Sequence, residues 1–386
     1  MSEVYLDNAA TTPISDEVLT ELTDKYKNLF GNASTLYGLG RQAKAVLEDS
    51  RHVIAQSINA DDDEIVFTSG GSESDNTAVL RTAEARKALG RHIITTAVEH
   101  EAILKPMHYL EKHGFRVTYL PVDENGQISM DDLKDALDDD TILVSIMSVN
   151  NEVGSIMPIH EIGELLKVHQ AWFHTDAVQA YGLTDIDVKR DHIDLLSTSA
   201  HKINGPKMMG FLYRKDGLKF TSFVLGGDQE EKRRAGTENV PGIAGFAAAV
   251  KTLMPTEKAK RETRFRGFKQ QIVAGLKAHK VDFDVNGSLD TNSSPHVLNL
   301  WIKGISTYVM QNNLDLDGYA ISGGSACTAG NLEPSHVLIA MYGKDNPRVS
   351  ESIRVSFGRY TTEADVNGFI ETTAKIVERL NKRRAR

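Results

Sequence analysis

From residue 64 onward the chain alternates between short apolar runs and stretches with the rhythm of amphipathic helices. The apolar runs lie at 65–68, 92–97, 116–120, 142–149, 172–175, 195–198 and 210–213. Helical patterns fill most of the gaps, at 74–89, 102–113, 130–137 and 159–170. Seven buried-type strands with helical crossovers predict an α/β fold: a mainly parallel seven-stranded sheet covered on both faces.

The flanking regions read differently. Ser15 is placed to cap a helix that carries Val18, Leu19, Leu22 and Tyr26 on one side. A glycine-punctuated loop over 31–40 leads into a helix over 41–59. After Pro241 a helical region runs to about residue 280, interrupted near Pro255. Beyond it, short strands at 281–285, 296–302, 319–321 and 352–357 mix irregularly with helices, the last over 363–383. This divides the chain into a large α/β domain at 13–256 and a small C-terminal α+β domain at 257–386, with residues 1–12 packing on the small one. A length of 386 residues suits two domains. There is no internal repeat.

Composition narrows the function classes. With 40% hydrophobic and 25% charged residues and a net charge of −9, the chain is expected to present no broad surface for nucleic acid or anionic membranes. The basic run Lys382-Arg383-Arg384-Ala385-Arg386 reads as a solvated end. No apolar stretch reaches membrane-span length, and the N-terminus lacks a basic-then-apolar signal pattern. A single cysteine excludes an intrachain disulfide and a multi-cysteine metal site. These features lead to the expectation of a cytoplasmic protein without a metal or a membrane partner.

In parallel α/β sheets ligands gather at the carboxyl ends of the strands, so those ends carry the candidate chemistry. The run 65–69 turns on Gly70-Gly71-Ser72 into a helix, where backbone amides can approach an anion. The turn is not a P-loop, and an ordinary capped turn has the same sequence. His100 follows the run 92–97 and can stack on a ring or move protons, although a lone histidine is more often structural. Asn150 and Asn151 follow 142–149. Asp176 ends the run 172–175, with Gln179 one turn on. A carboxylate just past an apolar strand favours a cationic partner, which a protonated pyridine nitrogen supplies. The run 195–198 ends in Ser199-Ala200-His201-Lys202 before a Gly205-Pro206 turn. Alone, Lys202 reads as an ordinary surface lysine. With the other strand ends it reads as an amine held for pyridoxal phosphate (PLP), above a phosphate cradle of Gly71, Ser72, Ser199 and His201.

The motifs together are highly specific. They include Tyr5-Leu-Asp-Asn-Ala-Ala-Thr-Thr12, Phe67-Thr-Ser-Gly-Gly-Ser-Glu-Ser-Asp-Asn76, Val149-Asn-Asn-Glu-Val-Gly154, His174-Thr-Asp-Ala-Val-Gln179, Ser199-Ala-His-Lys202, Arg234-Ala-Gly-Thr-Glu-Asn239, Ser325-Ala-Cys-Thr328 and Ile353-Arg-Val-Ser-Phe-Gly-Arg359. Nearly end to end, the chain resembles the NifS/IscS-like cysteine desulfurases of the class V aminotransferase family, in the longer-loop subgroup. These are PLP-dependent transferases of fold type I, the aspartate-aminotransferase-like fold.

The resemblance implies removal of sulfur from L-cysteine, giving L-alanine and a persulfide on Cys327. It implies Lys202 as the Schiff-base lysine, Asp176 as the pyridinium partner and His100 over the ring. Asn151 and Gln179 would bond the ring substituents, and Arg354 the substrate carboxylate. Thr237 would reach the phosphate of a neighbouring subunit in a homodimer. Sulfur-acceptor proteins for iron–sulfur cluster assembly or tRNA thiolation are the implied partners. Serine at position 72 and Tyr37 depart from the family's usual threonine and histidine. The first keeps the hydroxyl, and the second alters the entrance. Selenocysteine lyase or another fold-type-I PLP enzyme is the nearest alternative, and a non-catalytic scaffold a distant one.

Overall fold

A computed structural model describes residues 3–253, 255–323 and 334–384. Seven strands form the main sheet: β2 (Ile65–Thr68), β3 (His92–Thr96), β4 (Arg116–Leu120), β5 (Thr141–Ser145), β6 (Trp172–Asp176), β7 (Leu195–Ser197) and β8 (Gly210–Arg214). Their order is β2-β8-β7-β6-β5-β3-β4. β8 runs antiparallel to both neighbours, and every other pairing is parallel. Strands β2, β3 and β5 are buried at every position, which is why they read as unbroken apolar runs.

Two expected elements shift. The run 142–149 gives a shorter strand, because the ladder ends at Ser145. The N–H groups of Ile146 and Ser148 still reach His174 O and Asp176 O, so the following residues stay extended and buried outside the strand. The helix expected over 74–89 starts earlier, as Gly71–Asn76, passes through one π turn over Thr77–Arg81 and ends as Thr82–Arg86. Its start sits directly on the end of β2, so the turn between them is short.

A smaller antiparallel sheet has the order β12-β10-β9, from β9 (Phe283–Asn286), β10 (Val297–Ile302) and β12 (Ser352–Ser356). The N-terminal strand β1 (Val4–Tyr5) pairs in parallel with β11 (Tyr319–Ala320). Leu6 then enters the core of this smaller unit with Phe265, Phe268, Leu300, Ile353 and Phe369. The larger core lies under the main sheet, and Val337 and Leu338 join it although they follow β11 in the chain. Serine caps start several helices: Ser15 accepts from Val18 N and Ser306 from Val309 N, each at 3.4 Å. Phe211 and Phe246 stack at 5.8 Å, and Tyr181 packs edge-on against both. These rings support the end of the sheet where β7 and β8 meet.

Candidate active site

The carboxyl ends of β2, β3, β5, β6 and β7 converge on one cavity of about 250 Å³. Gly71, Ser72, His100, Asn151, Asp176, Gln179, Ser199, His201, Lys202 and Arg354 all line it, with Ala9, Ala10, Asp75, Met147 and Val178. Ten of the residues expected from sequence are therefore brought together. A larger groove of about 620 Å³, lined by Gln127, His160, Arg190 and Asp191 among others, contains none of them.

Backbone geometry explains the glycines at the end of β2. Gly70 has φ of 143°, a region side chains disfavour. A Cβ on Gly71 would meet Val178 Cγ2 at 2.7 Å. The Gly71 amide thus opens a helical run at the closest approach to the segment after β6. Ser72, Ser199 and His201 add side-chain donors to that corner of the cavity. Burial, then Lys202 and Lys207, push the His201 imidazole down to about 4. Its Nδ1 lies 3.0 Å from Thr11 Oγ1.

Lys202 Nζ donates to Ala9 O at 2.5 Å and to Ala10 O at 2.8 Å. Burial first, then the Arg354 charge, bring its pKa down to about 8, against the opposing pull of Asp176 and Asp7. The Asp176 carboxyl is raised by burial, partly offset by His100 and Lys202, and its Oδ1 accepts from Val178 N at 2.8 Å. Asp75 is pushed up further, by burial and by Asp176 itself, and its Oδ1 has no hydrogen-bond partner among the described residues. Two buried acids thus share this end of the cavity, both with carboxyls raised by burial. Burial lowers the His100 imidazole, whose Nδ1 accepts from Ala102 N at 3.1 Å as the helix cap.

Arg354 lies on β12 and is fully buried. Its guanidinium donates to Asp7 Oδ1 at 2.7 Å and to Asn151 O at 2.8 Å. The two neighbouring amides divide their work. Asn150 is structural: it donates to Val98 O at 3.0 Å and accepts from the N–H of Glu152 and Val153. Asn151 faces the cavity.

Two expected residues fall elsewhere. Thr237 is exposed and lines a separate recess with Phe67, Ser69 and Met209, whose lining does not include Lys202. Cys327 lies outside the described residues. Sequence reasoning missed Ala9, Ala10, Asp7 and Asp75. The signal was available, since all four sit inside the quoted motifs 5–12 and 67–76, but their contacts depend on tertiary approach.

The site suits a phosphorylated pyridine aldehyde. A buried acid that burial discourages from ionising gains from a cationic ring nitrogen beside it, a depressed lysine supplies an amine, and the glycine turn admits an anion. The Aminotransferase class-V family model matches residues 4–369. The chain is 50% identical over 380 residues to the putative cysteine desulfurase IscS 1 of Bacillus subtilis, covering 98% of this chain and 100% of that protein. It is 44% identical over 377 residues to cysteine desulfurase IscS of Clostridium botulinum, covering 97% and 94%. Among solved structures, a NifS-like protein superposes with a TM-score of 0.90 at 34% identity, covering 97% of this chain and 99% of the other. A structure described as SspA in complex with cysteine gives 0.79 at 32% identity, covering 93% and 100%.

Proposed function

The chain belongs to the class-V aminotransferase family, and from that membership we propose that it is a cysteine desulfurase using PLP in the Lys202 cavity. The observation that carries this reading is the convergence of Lys202, Asp176 and Arg354 on one cavity. PLP, when bound, supplies an aldehyde that condenses with amines and a ring that accepts electrons from a broken Cα–H bond.

The residues would divide the work as follows. Gly71, Ser72, Ser199 and His201 hold the phosphate, and Thr237 reaches the phosphate of the second subunit in a homodimer. Its exposure and its absence from the lining of this chain's own cavity support that assignment. Asp176 keeps the ring nitrogen protonated. Asn151 and Gln179 orient the ring substituents, and neutral His100 packs over it. Arg354, whose guanidinium donates to the Asp7 carboxylate, binds the cysteine carboxylate. With a pKa of about 8, Lys202 is partly neutral near physiological pH and can take up and return the Cα proton.

The Cys327 thiolate would then attack the substrate sulfur. An S–S bond forms as the Cβ–S bond breaks, and the electron pair stays with Cβ. That carbon takes up a proton and becomes the methyl group of alanine, while the persulfide stays on Cys327. Acceptor proteins of iron–sulfur assembly or tRNA thiolation would take the sulfur onward.

Borohydride reduction of the PLP-loaded protein tests the site. Peptide mapping should find the cofactor fixed to Lys202. A colourless protein that borohydride does not modify there would contradict the reading.

A further inference from the structure

The Gln179 amide is held from both ends. Its Nε2 donates to Ala9 O at 2.9 Å, and its Oε1 lies 3.0 Å from His296 Nε2. Reversing the amide would set its oxygen against the Ala9 carbonyl, so the orientation is determined. An amide oxygen only accepts, so His296 Nε2 carries the hydrogen and Nδ1 is the acceptor. Nδ1 lies 2.7 Å from Ser294 Oγ, whose hydroxyl therefore donates to it. The segment is fixed in turn by Lys269, whose Nζ donates to Ser293 Oγ at 2.8 Å and Ser294 O at 2.6 Å. Gln179, His296, Ser294 and Lys269 are all buried.

This chain of bonds starts beside the small sheet and ends at the reactive amine. Ala9 O accepts from both Gln179 Nε2 and Lys202 Nζ, and Gln179 and Lys202 line the same cavity. Burial, with Lys269, Arg354 and Lys202 around it, holds the His296 imidazole down to about 3. It is therefore a neutral imidazole in one tautomer throughout the working pH range. An imidazole with one defined donor suits the task of orienting another polar group.

We propose that His296 is a positioning residue: through the Gln179 amide and the Ala9 carbonyl it sets the donor that PLP meets and the resting place of Lys202. The proposal rests on the PLP reading for what the Gln179 NH₂ group meets. One hydrogen of that group is taken by Ala9, and the other is left for the cavity. Without His296, the buried Gln179 oxygen loses its donor and the amide is free to turn its oxygen inward.

Equilibrium binding of PLP to cofactor-free protein tests this, read by the absorbance of the bound cofactor and its pH midpoint. Four proteins are compared: the parent, His296→Leu, His296→Gln and Ser294→Ala. Binding by the parent establishes the cofactor reading; if the parent does not bind, that reading fails independently of His296. H296L should bind about tenfold more weakly, with a shifted pH midpoint. H296Q should recover most of the affinity, because its amide can donate to Gln179 and accept from Ser294. S294A, which removes one oxygen and little packing, should weaken binding about threefold. Parent-like affinity and midpoint in H296L would overturn the proposal. So would equal losses in H296L and H296Q at matched melting temperatures. Where H296L does not fold, unchanged affinity in S294A overturns it.

Discussion

Lys202 Nζ meets the carbonyl of Ala9 at 2.5 Å across 193 positions of sequence. The N-terminal segment thus supplies the acceptors of the Lys202 amine, with Ala10 O as the second at 2.8 Å. Thr12 completes the join through His201 O at 2.8 Å. β1 pairs with β11 and Leu6 lies in the smaller core, so one short segment ties the lysine to both parts of the molecule.

Lys202 should lose its proton near pH 8, because burial disfavours the ammonium form. An ordinary lysine does so near ~10.4. Competitive amine labelling of the cofactor-free protein, read by mass spectrometry at Lys202, should have a midpoint near 8. The sign for stability follows. Below pH 8 both folded and unfolded chains are protonated, and the folded chain bears the full cost of a buried ammonium. Between pH 8 and ~10.4 only the unfolded chain keeps the proton, so that cost is relieved. Relative to Lys202→Met, the parent should therefore gain stability across that interval. A parent–variant difference independent of pH would contradict the assignment.

The two acids of the cavity should respond differently to amide substitution. Burial and Asp176 raise the Asp75 carboxyl, so Asp75→Asn is expected to remove little charge and should keep alanine formation within about threefold of the parent. Asp176→Asn should lower alanine formation by about 10² or more, since the ring nitrogen loses its anionic partner. It should not destabilise the cofactor-free protein, where Asp176 is itself raised by burial. Paired measurements of turnover and melting temperature check both.

Gly71→Ala should cost about 1–3 kcal/mol of stability and weaken PLP binding, because the new Cβ meets Val178 Cγ2 at 2.7 Å. Val178→Ala should restore part of the loss in the double variant. A denaturant titration of the four-member cycle gives the coupling. Additive effects would show that the clash is relieved elsewhere.

Sequence patterning located the main strands because most of them are buried, although β4 at the sheet edge is only partly so. Ile65–Thr68 and Arg116–Leu120 match residue for residue. It overran β5, since Ile146, Met147 and Val149 are buried without belonging to the ladder. It started the helix after β2 too late, because Gly71 and Ser72 read as a turn while serving as the first helical residues. Most of the cavity was legible because its residues follow strand ends, where position along the chain fixes position in space; Arg354, inside β12, was legible only through the family resemblance. The partners of Lys202, Arg354 and Gln179 were not, because Ala9, Asp7 and His296 arrive from distant segments with no local periodicity to mark them.

In the proposed mechanism Lys202 and Cys327 act in series, the lysine preparing the substrate and the cysteine removing its sulfur. The most direct measurement follows alanine and sulfide from L-cysteine, with reductant present, for the parent and Cys327→Ser, both loaded with PLP. The parent should form the two products in equal amounts. The serine variant should keep the bound cofactor at Lys202 and release no sulfide. Sustained sulfide release by Cys327→Ser would contradict the account.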